Sequence, residues 1–440
     1  MKVYSLGYNI LKNIVAIPYH LFYKKIKVIG IENIPTAKPI IFAPNHQNAL
    51  MDPLAMIFTT PNQIVFLARG DIFKGKKMIA FLNFIKILPV YRQHDGKEAL
   101  KKNDVVFAES VDYLENSGSF CLFPEAKHNP HRNLRPLKKG IPRIAFQALK
   151  ASNFDLDIQI IPTGIYYDDK DNSGAYLQIK YGKPISAKDY IEQIKENEQR
   201  AMTELSKDMA PKIRPLIIDI PEDENYSLIE KIRTLYSPRL LQKSNLKIND
   251  ENKFLMDQAL IEELSKNTIS DSLKMKVNNL NTELENNRTE LKILLKSFSF
   301  VQAIISILGF LVFFPIAFAG LVLNSLPFLL SKYLRTHLIK DPQFTSSIKF
   351  VVGAIIMPIY FLVLSLFSLF FVPYYWAIAV LIGLPFVSYI SYYYFKRLLF
   401  IQQLLKYRLG KNKDKIEELK NDLFLELDQL FIGFKGYKEA

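Results

Sequence analysis

The chain has 440 residues, more than one compact soluble domain usually holds, so we expect two or three structural units. Its single cysteine excludes an internal disulfide framework and a cysteine-based zinc site, and its six histidines are scattered without an obvious metal cluster. The net charge of +14 suits anionic lipid headgroups better than nucleic acid, because the lysines are dispersed and no nucleic-acid recognition motif occurs.

Residues 1–25 are predicted to form an amphipathic helix that lies on a membrane surface. The segment is apolar apart from a few polar residues and four lysines: Lys2, Lys12, Lys24 and Lys25. It lacks a small-residue cleavage site, so it does not read as a secretory signal peptide. Such a helix would bury its apolar side among lipids and hold its lysines near anionic headgroups.

Residues 26–191 are predicted to form an α/β domain in which helices flank a mostly parallel sheet. Seven short segments rich in Ile, Val, Phe and Tyr are typical of strands. They are 26–30, 39–43, 64–67, 88–91, 120–123, 158–161 and 176–181. Between them, segments such as 97–116 carry apolar residues every three or four positions, which predicts helices. Strands that alternate with helices favour a largely parallel sheet.

Two further segments are predicted to be helical. Residues 192–297 are rich in Lys, Glu, Asn and Leu and nearly free of Gly, which indicates a helical spacer, with 252–295 as one long helix or two. Residues 398–440 are predicted to be an amphipathic helical tail on the cytoplasmic side. Its apolar stripe, suited to docking on protein or membrane, is Ile416, Leu419, Leu423, Leu427 and Leu430.

Residues 298–397 are predicted to form membrane hairpins. Two runs inside them, 298–330 and 350–395, contain no Asp, Glu, Lys or Arg, and a spanning helix needs about 20 apolar residues. The second run fits two spans with a turn at 372–375. The first is either one span kinked near Pro315 or a short hairpin that turns near 324–327. These lengths disfavour the alternative, a buried helical core of a soluble protein.

The charges that flank the two runs favour two hairpins. Lysine and arginine residues precede the first run, separate the two runs and follow the second. Because basic flanks tend to stay cytoplasmic, both runs should enter the membrane and return, the first either as a full hairpin or as a re-entrant loop. The N-terminal α/β domain would then lie on the cytoplasmic face.

The segment 44–53 carries the first candidate for chemistry. It reads PNHQNALMDP, follows a predicted strand and precedes a predicted helix. Asp52 could accept a hydrogen bond from one ring nitrogen of His46 and leave the other nitrogen able to take a proton. Each residue alone has an ordinary structural alternative: Asp52 before Pro53 is a natural helix N-cap, and His46 could be a hydrogen-bonded turn residue.

Three more predicted strands end in segments that carry polar or proline residues. LPVYR ends at Arg92, LFPE contains Pro124 and Glu125 and leads to Lys138, and IIPTG covers 160–164. The carboxyl ends of parallel strands share one edge, where α/β proteins place their sites. A base, carboxylates and cations at one edge suit a phosphate-bearing substrate whose hydroxyl is activated, and arginine matches phosphate by its bidentate fork.

These four ordered segments resemble the blocks of the glycerophosphate acyltransferase superfamily, the lysophospholipid acyltransferase-like proteins. The general pattern has four residues between His and Asp, whereas five lie between His46 and Asp52. The longer spacing, Asn48, the Asp-Pro pair, and the forms of the other blocks at 89–92, 136–140 and 161–164 are similar to the branch of fungal glycerol-3-phosphate/dihydroxyacetone-phosphate acyltransferases. The resemblance covers roughly residues 26–190.

The resemblance implies a membrane-bound O-acyltransferase of phospholipid synthesis. Such an enzyme moves a fatty acyl group from an acyl-CoA or acyl-carrier-protein thioester to a hydroxyl of glycerol 3-phosphate or a close glycerophosphate acceptor, with no metal or redox cofactor. By this resemblance His46 is the general base and Asp52 orients it. The implied substrate-binding residues are Arg92 and Lys138 for the phosphate and Glu125 for a glycerol hydroxyl, together with Pro124 and Asn48.

One departure from the family pattern keeps two alternatives open. The glycine that follows Phe-Pro-Glu in the family is Ala126 here, and residues 127–133, which include His128 and Arg132, also diverge. The added methyl group could narrow the acceptor pocket. The acceptor could therefore be lysophosphatidic acid or another lyso-lipid, or the protein could be an inactive lipid-binding membrane scaffold, although the intact His46, Asp52, Arg92 and Glu125 argue against the scaffold.

Overall fold

The computed structural model of the chain describes residues 3–91, 97–266, 268–295 and 300–432. The chain divides into two compact units. The first unit consists of Met1–Asp219 and His337–Ala354, and the second of Ile220–Thr336 and Ile355–Ala440. This division into two units does not correspond one-to-one with the five segments expected from the sequence, and the boundaries of those segments remain predictions.

The first unit is built on one eight-stranded sheet. The strands are β1 Tyr23–Ile29, β2 Ile40–Pro44, β3 Ile64–Arg69, β4 Ile87–Val90, β5 Ser119–Cys121, β6 Gln159–Tyr167, β7 Ala175–Tyr181 and β8 Ile185–Ser186. Their order is β1-β7-β6-β2-β5-β3-β4, with β8 beside β6. All pairings are parallel except those of β6 with β7 and β8. The mostly parallel sheet expected from the sequence is confirmed.

Helices cover both faces of this sheet. They are α1 Leu6–Phe22, α2 Met51–Thr59, α3 Lys76–Phe84, α4 Lys97–Glu115, α5 Gly140–Ala151, α6 Ile191–Ile213 and, far along the chain, α12 Thr345–Val351. Successive strand residues point to opposite faces, so Ile41 packs in the cluster of α4, α5 and α6. Phe42 and Cys121 pack in the cluster of α1 and α2, so the cysteine of this chain is a core residue.

The helix α1 is amphipathic. Tyr8 and Tyr19 are buried against the first unit. The opposite face is exposed and apolar at helical spacing: Leu6, Ile10, Ile14, Ile17 and Leu21. The helix ends at Phe22 and β1 begins at Tyr23, so residues 23–25 of the predicted surface segment belong to the sheet.

The second unit contains the remaining helices. They are α7 Tyr226–Lys243, α8 Asp250–Lys266, α9 Asp271–Asn286, α10 Phe300–Leu323, α11 Ser325–Tyr333, α13 Met357–Ser368, α14 Tyr374–Leu409 and α15 Lys413–Leu430. The stretch 252–295 therefore holds two α-helices, not one. The stripe of α15 docks on protein, because Ile416, Leu423 and Leu427 are buried and the helix packs against α9.

Three helices in the described part of the chain are long and apolar enough to cross a membrane. They are Ile304–Leu323, Pro342–Ser368 and Tyr374–Leu409. The second apolar run therefore holds two such helices, as predicted, joined by a turn that ends at Pro373. The first run holds one, because α11 has nine residues and is only about 14 Å long. Pro315 lies inside α10 without ending it.

Candidate active site

The candidate residues gather at the carboxyl edge of the sheet. Strands β2 and β5 are parallel neighbours, and Phe42 pairs with Cys121. His46 and Glu125 each lie four residues beyond that pair, so the sheet register carries them to the same place. The backbone N–H of His46 donates to Oε1 of Glu125 at 2.8 Å.

The His46 imidazole is oriented through one ring nitrogen. Nδ1 lies 2.8 Å from Oδ2 of Asp52. Because the carboxylate accepts, Nδ1 carries the proton and Nε2 is left as the basic nitrogen. The ring stacks on Phe123 with 4.0 Å between centroids, and no described residue hydrogen-bonds Nε2. With 14% of its side chain exposed, His46 is fixed in place yet reachable.

The Asp52 carboxylate is buried and fully engaged in the protein. Besides His46, Oδ2 accepts the backbone N–H groups of Gln47 and Asn48, both at 2.7 Å. Oδ1 accepts from the Tyr167 hydroxyl at 2.8 Å. The N-cap of α2 is Leu50, so the capping alternative for Asp52 is wrong, and the carboxylate instead turns back onto its own loop.

Two residues that hold this loop were not assigned roles in the sequence analysis. Tyr167 ends β6, the strand next to β2, and its position three residues after the segment 160–164 was the available signal. Asn45 precedes the histidine and exchanges two side-chain hydrogen bonds with the backbone of Ile165 on β6. Together they fasten the loop to the neighbouring strand.

The long spacing between His46 and Asp52 is accommodated by a turn at Ala49. This residue has a φ of 28°, a value that side-chain-bearing residues rarely adopt. The turn brings the N–H groups of Met51 and Asp52 onto the carbonyl of Asn48. The fifth intervening residue therefore does not separate the histidine from its carboxylate.

Asn48, a predicted substrate-binding residue, has protein partners on both amide atoms. Its Nδ2 donates to the carbonyl of Lys170 at 2.8 Å, and its Oδ1 accepts from the Ser346 hydroxyl at 2.6 Å. The residue is buried. In this structure Asn48 holds the loop, and direct contact with a substrate remains a prediction.

Glu125 and Pro124 connect the histidine loop to the segment that carries the lysines. Oε2 of Glu125 accepts the backbone N–H of Arg135 at 3.1 Å, and the carbonyl of Pro124 accepts that of Lys138 at 2.8 Å. Burial raises the pKa of Glu125 to about 7, although the N–H groups of His46 and Arg135 favour the charged form. The carboxylate is thus poised to change charge near neutral pH.

The predicted phosphate-binding cations are only partly located. Arg92 lies outside the described residues, but the preceding strand, β4, ends at the same sheet edge. Strand β4 is three strands away from β2, a lateral distance of about 14 Å. The Lys138 side chain is exposed. Arg132 donates to the carbonyl of Asp168 and lies over the Tyr166 ring.

His128 lies beside the catalytic candidate. Its ring meets the His46 ring edge-on, with 5.1 Å between centroids. Burial and the neighbouring His46 lower the pKa of His128, while Asp341 opposes them. The His128 ring packs directly against that of His46. His128 lies in the stretch that diverges from the family pattern, and no role was predicted for it.

Comparison with known proteins identifies the family of this domain. Residues 25–166 match the family model described as Acyltransferase. The chain is 26% identical to glycerol-3-phosphate O-acyltransferase 2 of Saccharomyces cerevisiae over 233 residues, 49% of this chain and 31% of that protein. It is 27% identical to a 1-acyl-sn-glycerol-3-phosphate acyltransferase of Borreliella burgdorferi over 143 residues, 32% of this chain and 54% of that protein.

These relatives are matched only in part. The chain spans 31% of the yeast protein and 54% of the Borreliella protein. Among solved structures, the 1-acyl-sn-glycerophosphate (LPA) acyltransferase PlsC from Thermotoga maritima is 17% identical, with a TM-score of 0.33 over 46% of this chain and 79% of that one. That structural likeness is too low to carry an argument.

Proposed function

We propose that this chain, whose residues 25–166 carry an acyltransferase-family domain, transfers a fatty acyl group from a thioester to a hydroxyl of glycerol 3-phosphate at a membrane. The observation that carries the proposal is the 2.8 Å contact between His46 Nδ1 and the buried Asp52, with Nε2 left as the basic nitrogen. The contact lies inside the matched residues, at the edge of a parallel sheet.

The pair supports direct acyl transfer. Nε2 of His46 takes the proton of the acceptor hydroxyl as its oxygen attacks the thioester carbonyl, and Asp52 stabilises the imidazolium that forms. The carbon–sulfur bond then breaks, and the thiolate leaves as a thiol with the proton from His46. General-base assistance of this kind contributes roughly 10²–10⁴-fold to the rate. No acyl-enzyme is required, and the reaction as written uses no metal or redox cofactor.

The acceptor phosphate is proposed to bind Lys138 and Arg92. Lys138 supports this role because its backbone is tied to Pro124, next to the Glu125 that holds His46, while its side chain reaches solvent. Glu125 is proposed to meet a glycerol hydroxyl. Its two oxygens each accept one backbone N–H, and a carboxylate oxygen can accept a second hydrogen bond.

The name of one relative favours a second acceptor, 1-acyl-sn-glycerol 3-phosphate. The Borreliella relative is named as an enzyme of 1-acyl-sn-glycerol 3-phosphate, whereas the yeast relatives are named for glycerol 3-phosphate. Both acceptors carry a phosphate and a hydroxyl, so the same site chemistry serves both. The donor is proposed to be acyl-CoA or acyl carrier protein.

The domain is proposed to lie on the cytoplasmic face. The apolar face of α1 and the exposed Met78, Phe81 and Phe84 of α3 offer a surface for the headgroup region. Residues 337–354 belong to the same compact unit as residues 1–219, so the chain that leaves through α10 must return to that side. A re-entrant first run meets this requirement, and α13 and α14 form the second hairpin.

The test is a donor and acceptor panel on the purified full-length protein in lipid nanodiscs. Acyl-CoA and acyl carrier protein thioesters are each offered with glycerol 3-phosphate, dihydroxyacetone phosphate, lysophosphatidic acid and lysophosphatidylcholine. We expect a phosphomonoester acceptor to be esterified and His46→Ala to lose at least 99% of that activity, in line with the general-base contribution. The proposal fails if His46→Ala retains full activity or no acceptor is used.

His131→Ala is the matched control, because it removes a second imidazole from the same loop region. We expect its activity to stay within about threefold of the original. Unchanged thermal unfolding of both variants shows that the loss in His46→Ala reflects chemistry and not misfolding. An inactive but well-folded wild-type protein that still binds lysophospholipid would point to the scaffold alternative.

A further inference from the structure

The segment Asp341–Phe350, here called the inter-helix segment, has a location that its sequence does not predict. It follows the short helix α11 and begins a helix that is apolar enough to cross a membrane, Pro342–Ser368. Yet residues 337–354 belong to the first unit, together with the sheet and the candidate active site. Four of its residues are buried: Ser346, Ser347, Ile348 and Phe350.

Two adjacent serines of this segment bind the loop between His46 and Asp52. The Ser346 hydroxyl donates to Oδ1 of Asn48 at 2.6 Å, and the Ser347 hydroxyl accepts the backbone N–H of Leu50 at 3.2 Å. Both loop residues lie between the base and its carboxylate. Two consecutive side chains thus satisfy polar groups on both sides of the strained turn at Ala49.

The beginning of the segment reaches His128. Oδ2 of Asp341 lies 3.5 Å from Nε2 of His128, and the Phe344 ring meets the His128 ring edge-on at 5.4 Å. His128 in turn packs against His46. The other end of the segment is anchored where Lys349 donates to the carbonyl of Asp171 and where Phe350 packs on Tyr19.

We propose that the inter-helix segment is a positioning element of the active site, which holds the His46–Asp52 loop in its reactive geometry. This inference deepens the proposed function and rests on it. Without the segment, the Leu50 N–H and the Asn48 amide oxygen would lose their partners, so the loop would relax. An error of about 1 Å in the position of a catalytic group can cost a hundredfold in rate.

The proposal has a consequence for how activity depends on the membrane. The positioning serines lie near the beginning of a candidate membrane span, Pro342–Ser368. Correct placement of that helix is therefore a condition for an ordered His46 loop. A fragment that ends before the first candidate membrane span, Ile304–Leu323, would lack the element.

The test uses the full-length chain in nanodiscs and the double variant Ser346→Ala/Ser347→Ala. We expect kcat to fall about tenfold, because two hydrogen bonds that order the loop are lost, while the KM of the acceptor changes less than threefold. We also expect faster amide hydrogen exchange in the peptide that covers residues 46–52. Ser347→Ala alone should raise exchange at Leu50 with a smaller loss of kcat, and it guards against misfolding of the double variant.

The matched control is Ser325→Ala/Ser368→Ala. These hydroxyls bond to backbone carbonyls of their own turns, those of Val322 and Ser365. The control should leave both kcat and exchange in 46–52 unchanged. If the double variant of the inter-helix segment keeps the original exchange or the original kcat, the inference is overturned. If the wild type esterifies no acceptor, the proposed function fails, and the exchange result still decides whether the segment holds the loop.

Discussion

Each unit contains a buried aspartate, and the two differ in their partners. Asp257 in the second unit and Asp52 in the first are both fully buried. Asp257 pairs with two basic side chains, those of Arg233 and Lys253. Burial alone would raise the pKa of Asp257, but Arg233 and Lys253 outweigh burial and lower it.

Asp52 has no such permanent counter-charge among the described residues. Its partners are an imidazole, a tyrosine hydroxyl and two backbone N–H groups. The negative charge is therefore best compensated when His46 is protonated, the state that forms during base catalysis. Asp257 is neutralised by fixed partners, as a structural role requires, whereas Asp52 faces a titratable imidazole, as the proposed base catalysis requires.

The largest effect is expected for Asp52→Asn, which tests whether the proposed base His46 needs the carboxylate. The amide keeps the size of the side chain but cannot stabilise the imidazolium, so we expect kcat to fall roughly a thousandfold. Steady-state acyl transfer by the purified protein measures the effect, and thermal unfolding checks the fold. Activity within tenfold of the wild type would show that the carboxylate is not needed by the base.

Asp257→Asn is the corresponding test in the second unit. It removes the buried counter-charge that Arg233 and Lys253 share, and Arg233 keeps only the partly exposed Glu230, so we expect the free energy of unfolding to fall by about 3–5 kcal/mol. Denaturant unfolding followed by circular dichroism measures this. The kcat of the fraction that remains folded should not change, and a selective loss of kcat would contradict the structural role.

Glu125 is a third buried carboxylate, and Glu125→Gln tests how it makes stability depend on pH. The folded-state pKa of Glu125 is raised to about 7, so its stabilising contribution is present below the unfolded value and is lost as the pH rises through 7. Relative to the variant, the wild type should lose up to about 3 kcal/mol of stability between pH 4.5 and pH 7.5. Melting temperatures of both proteins across that range test the sign, and parallel curves would refute it.

The smallest expected effect is that of Ala126→Gly. Ala126 has a φ of 60°, where a side chain is strained and glycine is not. Restoring the family's glycine should raise the free energy of unfolding by about 0.5–1 kcal/mol after the entropy cost of glycine. Ala108→Gly in α4 is the matched control and should lower stability by about 1 kcal/mol. Equal signs for the two changes would contradict the strain.

Short-range pattern predicted a large part of the site. The strand-like segments and their alternation with helices predicted the mostly parallel sheet. The positions of His46 and Glu125 after two predicted strands predicted that both lie at the same sheet edge. The His46–Asp52 hydrogen bond was also expected from the spacing. These features follow from local periodicity and from the rule that parallel strands end at one edge.

Other parts of the site depend on contacts between distant segments. Tyr167 meets Asp52 across 115 positions, and Ser346 meets Asn48 across 298. The inter-helix segment reads locally as the start of an apolar helix, because burial in protein and burial in lipid select similar residues. Its role in the first unit could not be deduced from composition.

The elements, the order of the motif blocks and the chemical groups available to the proposed reaction follow from the sequence alone, because these depend on the intrinsic properties of neighbouring residues. Only the tertiary structure decided which groups are held in the protein and which are left to act. Asn48 is held on both sides by protein partners, while the Nε2 of His46 is left open. That outcome depends on which distant backbone and side-chain atoms arrive at the sheet edge, and a buried polar group there takes whichever partner reaches it.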